Sequence, residues 1–324
     1  MKAYVLGNNG PSITDIPQPQ PTGAQVLVKV RAACLNRADL GMAKGHAHGS
    51  RGGAGTTLGG EAAGEVVALG PDAKGLKVGD RVMGSINGAF AEFGTMDSGR
   101  AFIIPANNMS YEQAATLPVA LNTMHNAVVT AGGLQPGQSV MIQGASSGVG
   151  LMAMQIAKLK GAKLVIGTST DADRRAKLTE HGADLAVDTT KSSWVDDVLK
   201  ATNGEGVDLI VDQVSGPYVN DCMRATKIEG RIVNVGRLGG MTADFNFDLH
   251  ALRRIKYIGV TFRTRNIDEI RAITTAVKDD IWDSVVSGKL SLPIAKVFPF
   301  AEADDAYAHM TANKHFGKIV LRMD

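Results

Sequence analysis

The stretch QSVMIQGASSGVGLMAMQIAKLK, residues 138–160, reads as a strand, a glycine turn and a helix. Residues 139–143 form a short apolar run of the kind that makes a buried strand. Val149, Met152, Ile156 and Leu159 then recur at the three-and-four spacing of one helix face. That face must pack on a sheet. Between the two, Gly144, Gly148 and Gly150, with Ala145, Ser146 and Ser147, leave backbone N–H groups bare at a helix start, where the helix dipole favours an anion. This is the chemistry of a pyrophosphate cradle. The spacing G-A-S-S-G-V-G departs from G-x-G-x-x-G, so the flanking chain has to carry the assignment.

The flanking chain does so. Residues 163–167 (KLVIG) give a second buried strand about twenty residues past the turn, where a dinucleotide fold places the residue that reads the ribose. That position is Thr168 or Ser169. A site preferring NAD needs a carboxylate there for the two ribose hydroxyls. This chain offers only hydroxyls, followed by Arg174 and Arg175, so the pocket is expected to take a 2′-phosphate and the cofactor to be NADPH.

Further strand patterns at 185–187, 208–212 (DLIVD), 231–235 (RIVNV) and 255–262 (IKYIGVTF) alternate with helical ones, notably at 171–181 and 218–225. Alternating units of this spacing build a parallel, doubly wound α/β sheet with ligand at the carboxyl ends of its strands. Residues 268–287 read as a helix, and the tail from Leu292 returns to a β pattern that is expected to rejoin the first domain. That first domain is β-rich: residues 1–6, 25–33, 58–69, 77–84 and 89–94 carry strand patterns punctuated by glycine and by the proline-rich IPQPQPTG. Asn36 and Asp39 lie at the mouth of one strand. The glycine-rich loop after them holds His46, His48 and Arg51, and loops this long in a compact domain are usually functional or mobile.

Composition sets the bounds. A chain of 324 residues is long enough for two domains, and 44% hydrophobic with 20% charged residues is ordinary for a globular protein. A net charge of +2 is too small to argue for nucleic-acid or acidic-membrane partners, and neither is expected. No run approaches the ~18 apolar residues of a membrane span, and the first residues lack a signal-peptide pattern, so a cytoplasmic protein is expected. Cys34 and Cys222 are too few and too far apart for a disulfide framework or a thiolate metal cluster.

The order of motifs resembles the medium-chain dehydrogenase/reductase superfamily, specifically its zinc-free quinone oxidoreductase branch. The resemblance rests on NRAD at 36–39, GGEAAGEV at 59–66, VGDRV at 78–82 and GAFAEF at 88–93. LPVALNT at 117–123, GASSGVG at 144–150, FRTR at 262–265 and HFGKIVL at 315–321 continue it over nearly the whole chain. It implies a GroES-like β-rich catalytic domain (1–123 and 264–324) and a doubly wound Rossmann domain binding NADPH (124–263). In the zinc-dependent branch a cysteine stands where this chain has Asn36, and a histidine where it has Gly60. No metal is therefore expected, and Glu61 reads as a structural carboxylate bonded to backbone.

Without a Lewis acid the acceptor has to be an easy one, which points to a quinone or an activated alkene. Asn36, His46 and Thr123 are the candidates for contact with the substrate oxygen. By resemblance, Ser147, Gly148 and Val149 hold the pyrophosphate and Ser169, Arg174 and Thr189 surround the adenosine phosphate. Gly216, Val235, Gly236, Thr261, Phe262 and Lys318 touch the rest of the cofactor. An enoyl-thioester reductase of the same fold and an NADPH-binding protein with a non-catalytic role are the alternatives. The apolar last strand, as a sheet edge, predicts a homodimer paired through it.

Overall fold

A computed structural model describes residues 1–47, 49, 52–106 and 109–323 of the chain. His48 and Arg51, singled out above, lie outside the described residues. The chain divides into two compact units, Met1–Asn122 with Phe262–Asp324, and Thr123–Thr261.

The first unit opens with β1 (Lys2–Gly7) and β2 (Gly10–Asp15), an antiparallel hairpin. There follow β3 (Gln25–Cys34), α1 (Arg37–Ala43), β4 (Glu61–Leu69), β5 (Arg81–Ser85), β6 (Phe93–Asp97), β7 (Ala101–Ile103) and α2 (Tyr111–Ala115). α3 (Pro118–His125) leads onward in the chain to the second unit and runs into a π-helical turn at Asn126–Thr130.

In the second unit the elements are β8 (Ser139–Gln143), α4 (Gly148–Leu159), β9 (Leu164–Thr168), α5 (Ala172–Ala176), β10 (Leu185–Val187), α6 (Trp194–Ala201) and β11 (Val207–Asp212). α7 (Val219–Ala225), β12 (Thr226–Asn234), α8 (Phe247–Arg253) and β13 (Lys256–Gly259) complete it. The strands form one parallel sheet in the order β10-β9-β8-β11-β12-β13. All five residues of β8 are buried, as a central parallel strand covered on both faces requires. Met141, Ile166, Ile210 and Ile232 pack with Trp194, Val198 and Met223 in one core. β13 is an edge: it pairs with β12 alone, and Lys256, Tyr257 and Gly259 are exposed.

The chain then returns to the first unit through α9 (Ile267–Val286), β14 (Ile294–Pro299), α10 (Ala303–Ala312) and β15 (Lys318–Arg322). β15 inserts between β14 and β3, parallel to the former and antiparallel to the latter, in a sheet ordered β14-β15-β3-β4-β5-β7 with β6 also on β3. The tail is therefore β, as expected, but α10 interrupts it. Ala303, Ala306, Tyr307 and Met310 are its buried residues, spaced three and four apart, and they seat one helix face on the first core. The strand expected at 89–94 lies at Phe93–Asp97 instead. Ala89, Phe90 and Ala91 cross the core fully buried, with only a single bridge from Ala91 to Ala3. Arg271 clamps α9 to the end of β6 through Asp97, at 2.6 and 3.0 Å.

Candidate functional site

In the second unit the β8–α4 turn has the cradle geometry. Ser147, in extended conformation, caps α4 by accepting from Gly150 N at 3.1 Å. The next N–H groups, at Gly148 and Val149, fall where no helical carbonyl can accept them. Gly150 is obligatory: a Cβ there would stand 2.7 Å from Ala145 Cα, Ala145 O and Gly144 O. Thr168 ties the turn to β9, its Oγ1 accepting from Gly144 N at 3.0 Å and its carbonyl from Ala145 N at 2.8 Å. Thr168 is thereby committed inward, at 1% exposure. Ser169 is the residue left at the strand end, its Oγ 3.1 Å from Ser146 Oγ.

Of the two arginines, Arg175 donates to Ser169 O at 2.8 Å and pairs with Asp188 at 3.3 Å, while Arg174 Nε lies 3.6 Å from Asp171. Thr189 is buried just past β10. Bare N–H groups at a helix start, a turn with no room for side chains and two guanidinium groups without a carboxylate at Ser169 fit a nicotinamide dinucleotide. Ser147, Gly148 and Val149 would hold its pyrophosphate.

A second polar cluster closes the β11 end of the same sheet. Asp212 Oδ1 accepts from Val214 N and Ser215 N, both at 2.9 Å, and its carbonyl accepts from Val235 N and Gly236 N. Burial pushes its carboxyl above the usual range, against those N–H groups. Ser215 Oγ bonds Gly236 O at 2.8 Å, and Gln213 Oε1 accepts from Ser147 Oγ at 2.9 Å. Gly216 follows with a φ of +59° and a Cβ position 2.5 Å from Gly239 O, so only glycine fits. Tyr257, exposed at the sheet edge, has its hydroxyl pushed up to about 12 by desolvation and then by Asp212. The sequence reading placed Gly216, Val235 and Gly236 in this region and missed Asp212, Gln213 and Ser215. The signal available was D-Q-V-S-G at the end of an apolar strand.

In the first unit the buried centre is a polar network around Glu61. Glu61, fully buried, accepts at Oε1 from Asn36 Nδ2 at 2.8 Å and Lys318 Nζ at 2.7 Å, and at Oε2 from Val119 N at the start of α3 at 2.8 Å. Lys318 Nζ also donates to Asn36 Oδ1 at 2.9 Å. Asn36 precedes α1, and its N–H donates to Asp39 Oδ2 at 2.7 Å. Burial works against the Lys318 ammonium, but the Glu61 carboxylate 2.7 Å from it holds its pKa above the ordinary lysine value. Burial also raises the Cys34 thiol, which stays protonated. Removing either partner of the Lys318–Glu61 pair would strand a buried charge at a cost of about 3–5 kcal/mol.

Glu61 is thus a structural carboxylate bonded to backbone, with an ammonium as well. Lys318, expected at the cofactor, sits at 5% exposure with its head on Asn36 and Glu61. His46 is exposed, its N–H bonded to Gly41 O at 3.0 Å, and makes no hydrogen bond to Asn36. Thr123 is half-buried on α3, while Thr261 and Phe262 are half-buried beyond β13. These residues do not fit a zinc ion. Glu61 already has three donors and a counter-charge, Asp39 accepts from Asn36, and no group of three or more metal-binding side chains occurs among the described residues.

Known proteins bear on both units. A family signature described as "Alcohol dehydrogenase GroES-like domain" matches residues 22–106, and one described as "Zinc-binding dehydrogenase" matches 148–278. The chain is 30% identical over 312 residues, 96% of its length, to one component of the phenolphthiocerol/phthiocerol polyketide synthase of Mycobacterium tuberculosis, of which it spans only 14%. It is 35% identical over 183 residues to 2-methylene-furan-3-one reductase of Solanum lycopersicum, covering 53% of this chain and 46% of that one. Two solved mycobacterial structures align at 25% identity. A quinone oxidoreductase gives a TM-score of 0.87 over 99% of both chains, and Rv1454c complexed with NADPH gives 0.88 over 99% of this chain and 100% of that one.

Proposed function

We propose, for a chain that belongs to the medium-chain dehydrogenase/reductase superfamily, that it is an NADPH-dependent, zinc-independent reductase of a quinone or an activated alkene. The observation that carries this reading is the Lys318 ammonium on Glu61 at 2.7 Å. It neutralises the buried carboxylate that Asn36 bonds and leaves no ligand set for a Lewis acid among the described residues. The acceptor must therefore be reducible without metal polarisation.

The bound nicotinamide supplies the hydride. Ser147, Gly148 and Val149 bind the pyrophosphate through a capped helix start. Ser169 and Arg174, with Arg175 behind them, favour a 2′-phosphate over free ribose hydroxyls, and the NADPH complex of a structural relative supports the same choice. Asn36 donates to the acceptor oxygen as it gains negative charge. The similarity to a quinone oxidoreductase and to a 2-methylene-furan-3-one reductase supports both acceptor classes.

The polyketide synthase similarity favours a second reading, reduction of an enoyl thioester by the same apparatus. NADPH oxidation followed with a quinone, an enone, an enoyl thioester and no acceptor tests both. Turnover with the quinone or enone and none in the blank is expected. Turnover with the thioester alone selects the second reading, and turnover with none of them refutes the reductase assignment.

A further inference from the structure

The Asn36 amide can sit in only one orientation, and the reason is the charge of its two partners. Lys318 Nζ, 2.9 Å from Oδ1, has no lone pair to offer a donor, and the Glu61 carboxylate, 2.8 Å from Nδ2, has no proton to offer an acceptor. A half-turn of the amide would set NH2 against ammonium and carbonyl against carboxylate. The main chain is fixed too, because Asn36 N donates to Asp39 Oδ2 at 2.7 Å and Asp39 N to Asn36 O at 3.0 Å. One N–H of Nδ2 goes to Glu61. The second finds no acceptor among the described residues, on a side chain that is only half-buried.

We infer that Lys318 and Glu61 are positioning residues that fix the orientation of the Asn36 amide, so that the second proton of Nδ2 is turned out as a hydrogen-bond donor to the substrate. The inference rests on the proposed reductase function and deepens it by naming what the site selects. A quinone or enone carbonyl, whose oxygen becomes an anion on hydride transfer, matches such a donor. A hydroxyl that must be deprotonated is a poorer match, since it needs a base, and an amide is not one. The pair acts entirely through Asn36, and its charges cancel, so the lock adds direction without adding net charge.

The test compares wild type with N36A, the charge-free pair E61Q/K318M and the triple variant N36A/E61Q/K318M. Loss of the donor in N36A is expected to lower kcat for the reduced quinone or enone by about tenfold to a hundredfold, with KM for NADPH unchanged. E61Q/K318M, which removes both charges together and strands neither, is expected to lose most of the same factor. The triple variant is expected to be no slower than N36A. A folded E61Q/K318M with wild-type kcat, or a loss that multiplies with that of N36A, overturns the inference.

A readout independent of turnover is the Asn36 side-chain amide in protein labelled with nitrogen-15 asparagine, assigned by its absence in N36A. One of its two protons should be protected from solvent exchange and the other not. Equal exchange of both in wild type also overturns the inference, whether or not the double variant folds. Asymmetric exchange in a wild type that reduces no acceptor refutes the reductase reading and leaves the lock standing.

Discussion

Replacing Gly150 by alanine tests the cradle where its geometry is tightest. The new Cβ would lie 2.7 Å from three backbone atoms of the turn, whereas ordinary contact begins at 3.4 Å, and no flexible side chain is there to give way. The turn must therefore move off α4. Overpacking of this kind costs about 1–3 kcal/mol, and alanine returns roughly 1 kcal/mol of helix propensity, so a net loss of about 0–2 kcal/mol in stability is expected. The larger effect falls on the ligand. Displacing the N–H groups at Gly148 and Val149 weakens one or two bonds to a charged group, each worth about 1.5–3 kcal/mol, which is roughly tenfold to a hundredfold or more in Kd. Fluorescence titration with NADPH would measure this beside a thermal melt. Gly259→Ala, whose Cβ meets nothing within 4 Å, serves as the control. A Gly150→Ala protein that binds NADPH with wild-type affinity refutes the cradle.

Three further outcomes are expected. Arg174→Ala should raise KM for NADPH by about tenfold to a hundredfold and leave KM for NADH in place, as loss of a guanidinium–phosphate pair requires; an unchanged preference removes Arg174 from the pocket. Asp212 has its carboxyl raised by burial, so the folded state gives up stability as pH climbs from the ordinary aspartate value through the raised one. Asp212→Asn escapes that loss and should gain on wild type as the pH rises above the ordinary aspartate value in denaturant melts; a pH-independent difference would show the carboxyl to be unperturbed. If β13 pairs with its own copy across a two-fold axis, the protein should be dimeric in light scattering, and Tyr257→Pro should yield monomer by removing a ladder donor. A dimer indifferent to that proline rules this interface out.

The central parallel strands β8, β9 and β11 were legible because each is an apolar run buried almost throughout, and a run of that kind needs no knowledge of its neighbours. The cradle was legible for the same reason, since Gly144 to Gly150 and the helix after them are local in sequence. β2 was not, because its residues are mostly exposed and include Pro11, so no alternation marks it. α10 was missed when the tail was read as β throughout, although its buried positions carry a helical period. The polar centre of the first unit was half legible. N-R-A-D and G-G-E drew attention to Asn36 and Glu61, but nothing in G-K-I-V-L says that its lysine turns inward to meet them. A lysine at the start of a strand is ordinarily a solvated charge, and only the insertion of β15 beside β3 brings it to Glu61.

That insertion has a consequence for how the chain is made. The second unit is a continuous stretch and can close as soon as it is synthesised, whereas the first is assembled from segments separated by that whole unit. Glu61 and Lys318 stand 257 residues apart. While the ribosome is still working through the intervening sequence, β3 lacks its neighbour β15 and Glu61 lacks the ammonium that will offset its burial. The first unit must wait in an unfinished state, with a strand edge exposed to other chains. Slow synthesis across residues 262–317 would prolong that exposure at residues 32–34, where β3 later pairs with β15.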